Sequence, residues 1–320
     1  MQNLEVAVII PVKNRAELLR QTLRNVLAQS LPPAEVVVVD DSSTDHLAEV
    51  IADFGGQVRL IPNRGKGPAA ARNTGYLATT APLVQFFDSD DLLTYHKLER
   101  FAKALEASKA DMAYGPYVKA QEVAPGQWVQ TDVIMQHGPL PSPDLEKWIL
   151  RGWNALTQSM LFRRSFLELV PLWDEAHMPT EDYLYMGRLA LRHPKLVHVP
   201  GEAVIYRQHG QQITGDQIKE RGKALDAYQV MQKLDEAIAG RPTDILTSTI
   251  WQGRLYLNEQ YALQIGALSD LPKHKKNRAQ AFVYRAYNKF ERILTGTAWE
   301  RMHAVSPRPE DFAAIIQNIR

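Results

Sequence analysis

The stretch that decides the fold spans nine residues and reads Leu83-Val84-Gln85-Phe86-Phe87-Asp88-Ser89-Asp90-Asp91. Its first five residues are mostly apolar, which is typical of a short strand buried on both faces of a parallel sheet. Three carboxylates follow directly, and open α/β sheets bind their ligands at the carboxyl ends of the strands. Like charges this close repel each other unless a cation or a proton lies between them. The stretch therefore predicts a divalent metal and a phosphorylated substrate at this edge of the sheet.

Apolar runs before this stretch predict further strands of the same sheet. Residues 6–10 and 36–39 are continuous and rich in β-branched side chains, and 58–61 is a shorter run of the same kind. Residues 18–29, between the first two runs, have the apolar spacing of an amphipathic helix. Residues 69–77, between the third run and the stretch at 83–91, are rich in alanine, which favours a helix. Strands that alternate with helices in this way indicate an α/β fold, with a doubly wound, mostly parallel sheet and flanking helices.

The second half of the chain has a less regular pattern. Its apolar runs predict strands at 112–119, 128–135 and 159–163. The spacing of its apolar residues predicts a helix at 181–191. From residue 216 onward the sequence is helix-forming, interrupted by glycine and proline. We therefore expect a second, helical region after the α/β part of the chain.

The composition excludes several classes of function. A formal net charge of +1 over 320 residues gives no global reason to expect nucleic acid as a partner. The absence of cysteine excludes disulfides, thiolate metal sites and a cysteine nucleophile. No run approaches the roughly 18–20 apolar residues that a membrane span needs, and the N-terminus carries no basic leader. We expect a cytoplasmic protein without membrane spans.

Several motifs are open to two interpretations when each is taken alone. Asp-Asp at 40–41 is a common turn or cap, although its position after a buried strand favours a ligand site. Gly-Lys-Gly at 65–67 matches neither a Walker loop nor a dinucleotide fingerprint. It is better explained as flexible backbone near Arg72, which could pair with a phosphate or lie on the surface. Thr-Glu-Asp at 180–182 begins a predicted helix, where capping explains it almost as well as catalysis. His209 lies in a loop after a strand, where a lone histidine is more often a surface residue or one with its polar groups satisfied than a ligand.

A further local pattern concerns the start of the first helix. Asn14 is followed three residues later by Glu17, a spacing that resembles a capping box. The pattern predicts that Asn14 caps the helix over 18–29.

Taken in order, these segments resemble the inverting family-2 glycosyltransferases with the GT-A fold. The matching text is Val-Ile-Ile-Pro-Val-Lys-Asn-Arg at 8–15, Val-Val-Asp-Asp-Ser-Ser at 38–43, Ala-Ala-Arg-Asn-Thr-Gly at 70–75, Asp-Ser-Asp-Asp at 88–91, Thr-Glu-Asp at 180–182 and Tyr-Arg-Gln-His at 206–209. The likeness spans roughly residues 5–215, and the ordered set is far more specific than any one segment. It implies a nucleoside-diphosphate sugar donor, expected to be UDP-linked, and a divalent Mn²⁺ or Mg²⁺.

The resemblance also implies roles for individual residues. The nucleotide-sugar site would comprise Pro11, Val12, Asn14, Asp41, Arg72, Asp88 and Ser89. Within it, Asp41 would receive the base and Arg72 would face the diphosphate. Asp88 and Asp90 match the DXD motif that holds ribose and metal, with Asp91 as a second candidate for the metal. Asp182 matches the catalytic base, and His209 matches an additional ligand on the metal side.

The same resemblance gives the domain organisation. We predict a GT-A domain over 1–215, made of a nucleotide-sugar-binding half at 1–110 and an acceptor-side half at 111–215. A C-terminal helical region follows at 216–320. Membrane helices and the Gln-x-x-Arg-Trp motif of processive synthases are absent from the sequence, which favours addition of a single sugar. The expected acceptor is a sugar, a lipid-linked sugar or another hydroxyl compound, in the synthesis of polysaccharide or glycoconjugate.

Elementary chemistry is consistent with these roles. A divalent metal stabilises the negative charge of a departing diphosphate, and a carboxylate base typically contributes ~10²–10⁴-fold to the rate. Two alternatives remain open at this point. A sugar-phosphate nucleotidyltransferase also uses carboxylates on an α/β sheet, but it would normally show a glycine-rich loop after the first strand. The other alternative is a catalytically silent nucleotide-sugar-binding or scaffolding protein.

A basic, aromatic stretch over 273–292 has two interpretations. It could contact anionic lipid and so bring the protein to the inner face of a membrane. A run of this length is more often a solvated helix face. The basic and aromatic side chains are Lys273, Lys275, Lys276, Arg278, Arg285, Lys289, Arg292, Phe282, Tyr284, Tyr287 and Phe290.

Overall fold

The computed structural model describes residues 4–124, 127–130, 138–153, 155–201, 203–209, 220–268, 278–287 and 289. The strands, in chain order, are β1 Val6–Val12, β2 Glu35–Asp40, β3 Arg59–Pro62, β4 Leu83–Phe86, β5 Leu92–Leu93, β6 Met112–Tyr114, β7 Tyr117–Ala124, β8 Gln127–Gln130, β9 Met160–Arg163, β10 Leu196–His198 and β11 Val204–Gln208. The helices are α1 Ala16–Leu27, α2 Leu47–Ala52, α3 Gly67–Leu77, α4 Lys97–Ser108, α5 Leu145–Arg151, α6 Arg164–Leu167, α7 Glu181–Ala190, α8 Glu220–Ile238 and α9 Ile245–Gln264.

Seven strands form one large sheet in the order β10-β6-β9-β4-β1-β2-β3. β1, β2, β3 and β4 run parallel to one another, and β10 runs parallel to β6, whereas β9 runs antiparallel to both of its neighbours, β4 and β6. The predicted mostly parallel sheet is therefore confirmed, with one reversed strand inside it. Parallel strands end at the same edge, so the residues after β2 and β4 come together there.

A second sheet of four strands, in the order β5-β11-β7-β8, lies beside this edge. The single strand predicted over 112–119 is wrong, because the chain leaves the large sheet after β6 and enters the small one at β7. The break falls at Gly115-Pro116, where proline lacks the N–H that a continuing strand would donate. A Cβ on Gly115 would also lie 2.7 Å from the carbonyl oxygen of Val199, so only glycine fits this approach. Of the strand predicted over 128–135, residues 131–135 lie outside the described part of the chain.

The core is built on both faces of β1, whose residues Val6 to Ile10 are fully buried. Val8 packs against Leu19 and Leu23 of α1 on one face. Ile9 packs on the opposite face, in the cluster that contains Ala69 of α3. This two-sided burial explains why the strand sequence is a continuous apolar run rather than an alternating one.

The predicted capping of α1 by Asn14 is wrong. Asn14 has a φ of 53°, and its Oδ1 accepts from the backbone N–H of Thr44 instead. The carboxylate of Asp45 caps the helix, accepting from the N–H of Ala16 at 2.9 Å. The cap therefore comes from the loop after β2, and it fixes that loop against the start of α1.

The C-terminal helices α8 and α9 pack against α5 and α7. Their shared cluster contains Leu150, Leu184, Val230, Leu234 and Trp251, all buried. The predicted boundary near residue 215 falls outside the described residues, and the division into two domains stays a prediction. Within the part of the chain that the structure covers, no helix is long and apolar enough to cross a membrane.

Candidate active site

The carboxylates after β4 gather at the edge between the two sheets. One carboxylate oxygen each from Asp88, Asp90 and Asp91 lies within 4.8 Å of the other two. Asp88 is 30 % exposed, whereas Asp90 is mostly buried and Asp91 is fully buried. The backbone carbonyl of Ser89 accepts from the Thr22 hydroxyl of α1 at 3.0 Å, which ties the loop to the helix behind it.

Asp90 is held by two cationic or polar side chains. Its Oδ2 lies 2.5 Å from Arg15 Nη1 and 3.1 Å from His209 Nε2. Burial acts to raise the pKa of Asp90, but the hydrogen bond from His209 and the charge of Arg15 outweigh it. The net pKa lies below the usual value, so the Asp90 carboxylate is ionised, and the end of β11 places His209 beside it.

Asp91 has a different environment. One of its oxygens accepts from the backbone N–H of Arg207 at 3.0 Å, and the other accepts from Gln158 Nε2 at 2.9 Å. Burial, together with the charges of Asp90 and Asp88, raises its pKa well above the usual value. Both oxygens are thus committed to donors from neighbouring elements, which favours a structural role and leaves metal ligation by Asp91 a prediction.

Arg207 connects the segments around Asp90 and Asp91 by hydrogen bonds, and it was not among the predicted site residues. It is fully buried, and its guanidinium donates to the carbonyl of Asp90, to Gln21 Oε1 and to the Thr22 hydroxyl. It therefore locks α1 to the Asp90 loop and to β11. The sequence contained a signal for it, since Arg207 lies in the Tyr-Arg-Gln-His segment that carries the family resemblance.

The predicted nucleotide side of the site lies at the ends of β1 and β2. The N–H of Asp41 donates to the carbonyl of Val12 at 2.9 Å, next to Pro11. Asp41 Oδ1 accepts from Asn63 Nδ2 at 2.7 Å and from the N–H of Gly67 at 3.1 Å. Its Oδ2 lies 3.6 Å from Lys13 Nζ. The two hydrogen bonds to Oδ1 orient the Asp41 carboxylate. Asn63, which donates one of them, was not among the predicted site residues.

Arg72 of α3 lies at the centre of a second charged group. Its Nη2 is 3.1 Å from Asp88 Oδ1, and its Nη1 is 3.1 Å from Glu181 Oε1. The guanidinium is 4.6 Å from the ring centroid of Trp173, which stacks on Tyr185. Burial acts to lower the pKa of Arg72, but the surrounding carboxylates raise it. The side chain is buried rather than on the surface, and its contact with a diphosphate stays a prediction.

Asp182, the predicted base, belongs to the same charged group. Its Oδ1 lies 3.5 Å from Arg72 Nη1 and makes no hydrogen bond among the described residues, while a third of the side chain is exposed. Desolvation by the surrounding protein raises its pKa to about 7, and the charges of Glu181 and Asp88 reinforce the shift against Arg72. Asp182 can therefore exchange a proton near neutral pH.

The donor set of this site fits a divalent cation. Mg²⁺ and Mn²⁺ prefer oxygen ligands, with imidazole acceptable to Mn²⁺. The three grouped carboxylates supply the oxygens, and His209 lies beside Asp90. Of the carboxylates, Asp90 is both ionised and directed toward His209, so it is the best candidate for the direct ligand.

This combination of a mostly parallel sheet, a small second sheet and a carboxylate-lined edge defines a fold of the GT-A class. The family model described as "Glycosyl transferase family 2" matches residues 7–169, slightly more than half of the chain. The chain therefore belongs to glycosyltransferase family 2. The family that the sequence predicted is confirmed.

Relatives that are named as glycosyltransferases match different shares of the chain. An uncharacterised glycosyltransferase of Nostoc sp. is 31 % identical over 175 residues, covering 52 % of this chain and 53 % of its own length. Glycosyltransferase GlyG of Streptococcus pneumoniae serotype 4 is 28 % identical over 254 residues, covering 75 % of this chain and 83 % of its own length. The chain thus spans about half the length of the Nostoc protein and less of two Rickettsia relatives.

Solved structures share the fold at lower identity. Residues 1–349 of S. aureus TarS in complex with UDP-GlcNAc superpose with a TM-score of 0.63 and 17 % identity, covering 90 % of this chain and 81 % of that one. The mannosyltransferase PcManGT from Pyrobaculum calidifontis, in complex with GDP-Man and Mn²⁺, gives a TM-score of 0.54 and 18 % identity, covering 98 % of this chain and 85 % of that one. These likenesses confirm the predicted GT-A fold.

Proposed function

We propose that this protein is a metal-dependent, inverting glycosyltransferase that moves one sugar from a nucleoside-diphosphate sugar to a hydroxyl acceptor. A single observation carries the proposal. Arg72 brings the base candidate Asp182 and the DXD residue Asp88 to opposite nitrogens of one buried guanidinium, at 3.5 and 3.1 Å. A base that titrates near pH 7 thus lies beside the carboxylates that would hold the donor.

The residues divide the reaction between two sides of the site. Asp182 takes the proton of the acceptor hydroxyl, whose oxygen then attacks the anomeric carbon from the face opposite the leaving group. The bond between that carbon and the diphosphate oxygen breaks, and the nucleoside diphosphate departs with the bonding electrons. One displacement inverts the anomeric configuration, so no enzyme nucleophile is needed.

The donor side supplies binding and charge. A divalent Mn²⁺ or Mg²⁺ held by Asp90 with His209, and with Asp88 or Asp91, would stabilise the charge that develops on the diphosphate. Asp41, fixed through Oδ1, offers Oδ2 to the base of the nucleotide. The complexes of TarS with UDP-GlcNAc and of PcManGT with GDP-Man support a nucleotide-sugar donor, and we favour a UDP-linked one.

The biological setting is also part of the proposal. We place the reaction in the cytoplasm, in the synthesis of a cell-surface polysaccharide or glycoconjugate. Contact with the inner face of the membrane through 273–292 remains a proposal, and residues 273–277, 288 and 290–292 lie outside the described part of the chain. Sedimentation of the full chain with anionic vesicles would test the membrane contact, and equal sedimentation with neutral vesicles would count against it.

Calorimetric titration with UDP and with GDP, each with and without Mn²⁺, tests the function. Binding of one nucleotide that depends on Mn²⁺ is expected, and it selects the donor sugars to assay. If the folded protein bound neither nucleotide, a UDP- or GDP-linked donor would be wrong, and either a donor with another nucleotide or a silent homologue of the same fold would take its place.

A further inference from the structure

The start of α7, which carries Asp182, is held from outside the GT-A sheet. Thr180 is the N-cap residue of α7, and its side chain makes no capping bond to the helix. Instead, its N–H donates to Asp226 Oδ2 at 3.1 Å, and its hydroxyl donates to the same oxygen. Asp226 lies in α8, beyond both the family-model match at 7–169 and the domain predicted over 1–215.

A buried histidine joins the same carboxylate. His177 Nδ1 lies 2.7 Å from Asp226 Oδ1, and the two side chains are only 4 % and 10 % exposed. Because an ionised carboxylate only accepts hydrogen bonds, the proton of the imidazole is assigned to Nδ1. The buried Nε2 has no hydrogen-bond partner among the described residues. His177 therefore gains its polar contact from Asp226, which fixes the segment leading into α7.

The whole segment from Asp174 to Thr180 lies between α3 and α8. At its start, Asp174 Oδ2 accepts from Lys233 Nζ of α8 at 2.9 Å. The next residue, Glu175, accepts from Asn73 Nδ2 of α3 at 2.8 Å, next to Arg72 in the chain. The segment is thus anchored to α8 at both ends and to the Arg72 helix between them.

We infer that Asp226 is a positioning residue for Asp182, so that the C-terminal helix α8 completes the active site. This inference rests on the proposed function, because it assigns Asp226 a role through the proposed base. Displacement of a catalytic group by about 1 Å can cost ~10²-fold in rate. Thr180, two residues before Asp182, donates two hydrogen bonds to Asp226, and these contacts resist such a displacement.

Three variants of the full chain test the inference. Asp226→Ala removes the acceptor of Thr180 and His177. Asp226→Asn keeps a carbonyl oxygen for Thr180 and can donate to His177 Nδ1, at the cost of moving the imidazole proton to Nε2. Asp235→Ala is the matched control, because Asp235 is also in α8 but accepts from Trp251 and Gln252 of α9.

Besides thermal unfolding, three measurements are made on each variant. Hydrogen exchange of the backbone amides at 180–184 reports the order of the first turn of α7. Nucleotide release from UDP-GlcNAc and GDP-mannose with Mn²⁺, with water as acceptor, gives kcat and KM. Calorimetry with UDP and GDP gives nucleotide affinity.

We expect Asp226→Ala to speed exchange at 180–184 by about tenfold and to lower kcat by about tenfold or more. KM and nucleotide affinity should stay within about twofold of the wild type, and Asp226→Asn should recover most of kcat. Asp235→Ala should lower the thermal midpoint without changing kcat.

The inference is overturned by wild-type exchange and kcat in Asp226→Ala, or by an equal loss of kcat in Asp235→Ala. It is also overturned if Asp226→Asn is as slow as Asp226→Ala while both are folded. A wild type that neither binds nucleotide nor releases it defeats the proposed function instead. In that case, the exchange rates at 180–184 still decide whether Asp226 orders α7.

Discussion

Arg72 Nη1 lies 3.5 Å from Asp182 Oδ1, and the same guanidinium also pairs with Asp88 and Glu181. One cation thus faces three carboxylates, and the excess negative charge adds to desolvation in raising the pKa of Asp182 to about 7. A base whose pKa lies near the working pH combines a sufficient ionised fraction with a strong affinity for the proton. The ion-pair group therefore helps to set the pKa of the proposed base.

The raised pKa of Asp182 predicts that the turnover of the enzyme depends on pH. Asp182 accepts a proton only when it is ionised. Because its pKa is raised, it becomes protonated, and the enzyme loses activity, at pH values below this pKa. We expect kcat to fall as the pH drops through about 7 and to be independent of Asp182 at higher pH. The measurement is kcat for nucleotide release from about pH 5.5 to about pH 8.5, with nucleotide affinity followed in parallel. A midpoint near about 4, the usual value for aspartate, would mean that the environment does not tune this group.

Two substitutions should move this midpoint in opposite directions. Glu181→Gln removes a negative charge that raises the pKa of Asp182, so the acid limb should shift to lower pH. Arg72→Gln removes the positive charge that lowers it, so the limb should shift to higher pH. Arg72→Gln should also destabilise the fold by roughly 3–5 kcal/mol, because it leaves buried carboxylates unpaired. Shifts of the same sign in both variants would contradict the electrostatic explanation.

We expect Asp90 and Asp91 to have different roles on the metal side of the site. Asp90→Asn should abolish the effect of Mn²⁺ on nucleotide affinity, since its pKa is low and its oxygen faces His209. Asp91→Asn should mainly lower stability, by ~1–3 kcal/mol, because an amide cannot accept from both the Arg207 N–H and Gln158. Calorimetry with and without Mn²⁺, together with thermal unfolding, measures both effects. The reverse pattern would make Asp91 the direct ligand.

A packing prediction tests the fit of α3 on the sheet. A Cβ on Gly75 would lie 2.3 Å from Ile9 Cγ2, inside the core, so Gly75→Ala should cost ~1–3 kcal/mol in unfolding free energy. Gly222→Ala is the control, because a Cβ there meets no atom within 4 Å and alanine favours the helix by ~0.5–1 kcal/mol. Urea unfolding of both variants makes the comparison. Equal stabilities would show that the close approach of α3 to β1 is not required.

Much of the fold could be predicted because its determinants are local in sequence. The continuous apolar run of β1 needs no partner to be recognised as a buried parallel strand. The carboxylates at 88–91 follow β4 directly, so their position at the sheet edge follows from the topology. The order of the family segments then placed Asp182 and His209 in one site.

The remainder depends on partners that are distant in the chain. Asp45 caps α1 from 29 residues away, and Gln158 reaches Asp91 from 67 residues away. No local propensity or spacing contains such pairings. The second sheet was missed for a similar reason, since β5 has two residues and pairs with β11 more than a hundred positions later. Local patterns show where a polar residue lies, but tertiary packing selects its partner.

The measurement that tests the central claim most directly compares the wild type with Asp182→Asn in the same preparation. Each is titrated with UDP and GDP in the presence of Mn²⁺ and assayed for nucleotide release from UDP-GlcNAc and GDP-mannose. If Asp182 is the base, nucleotide affinity is retained while turnover falls by ~10²–10⁴-fold. Undiminished turnover, or an equal loss of binding and turnover, would contradict the assignment and leave Asp182 a structural residue.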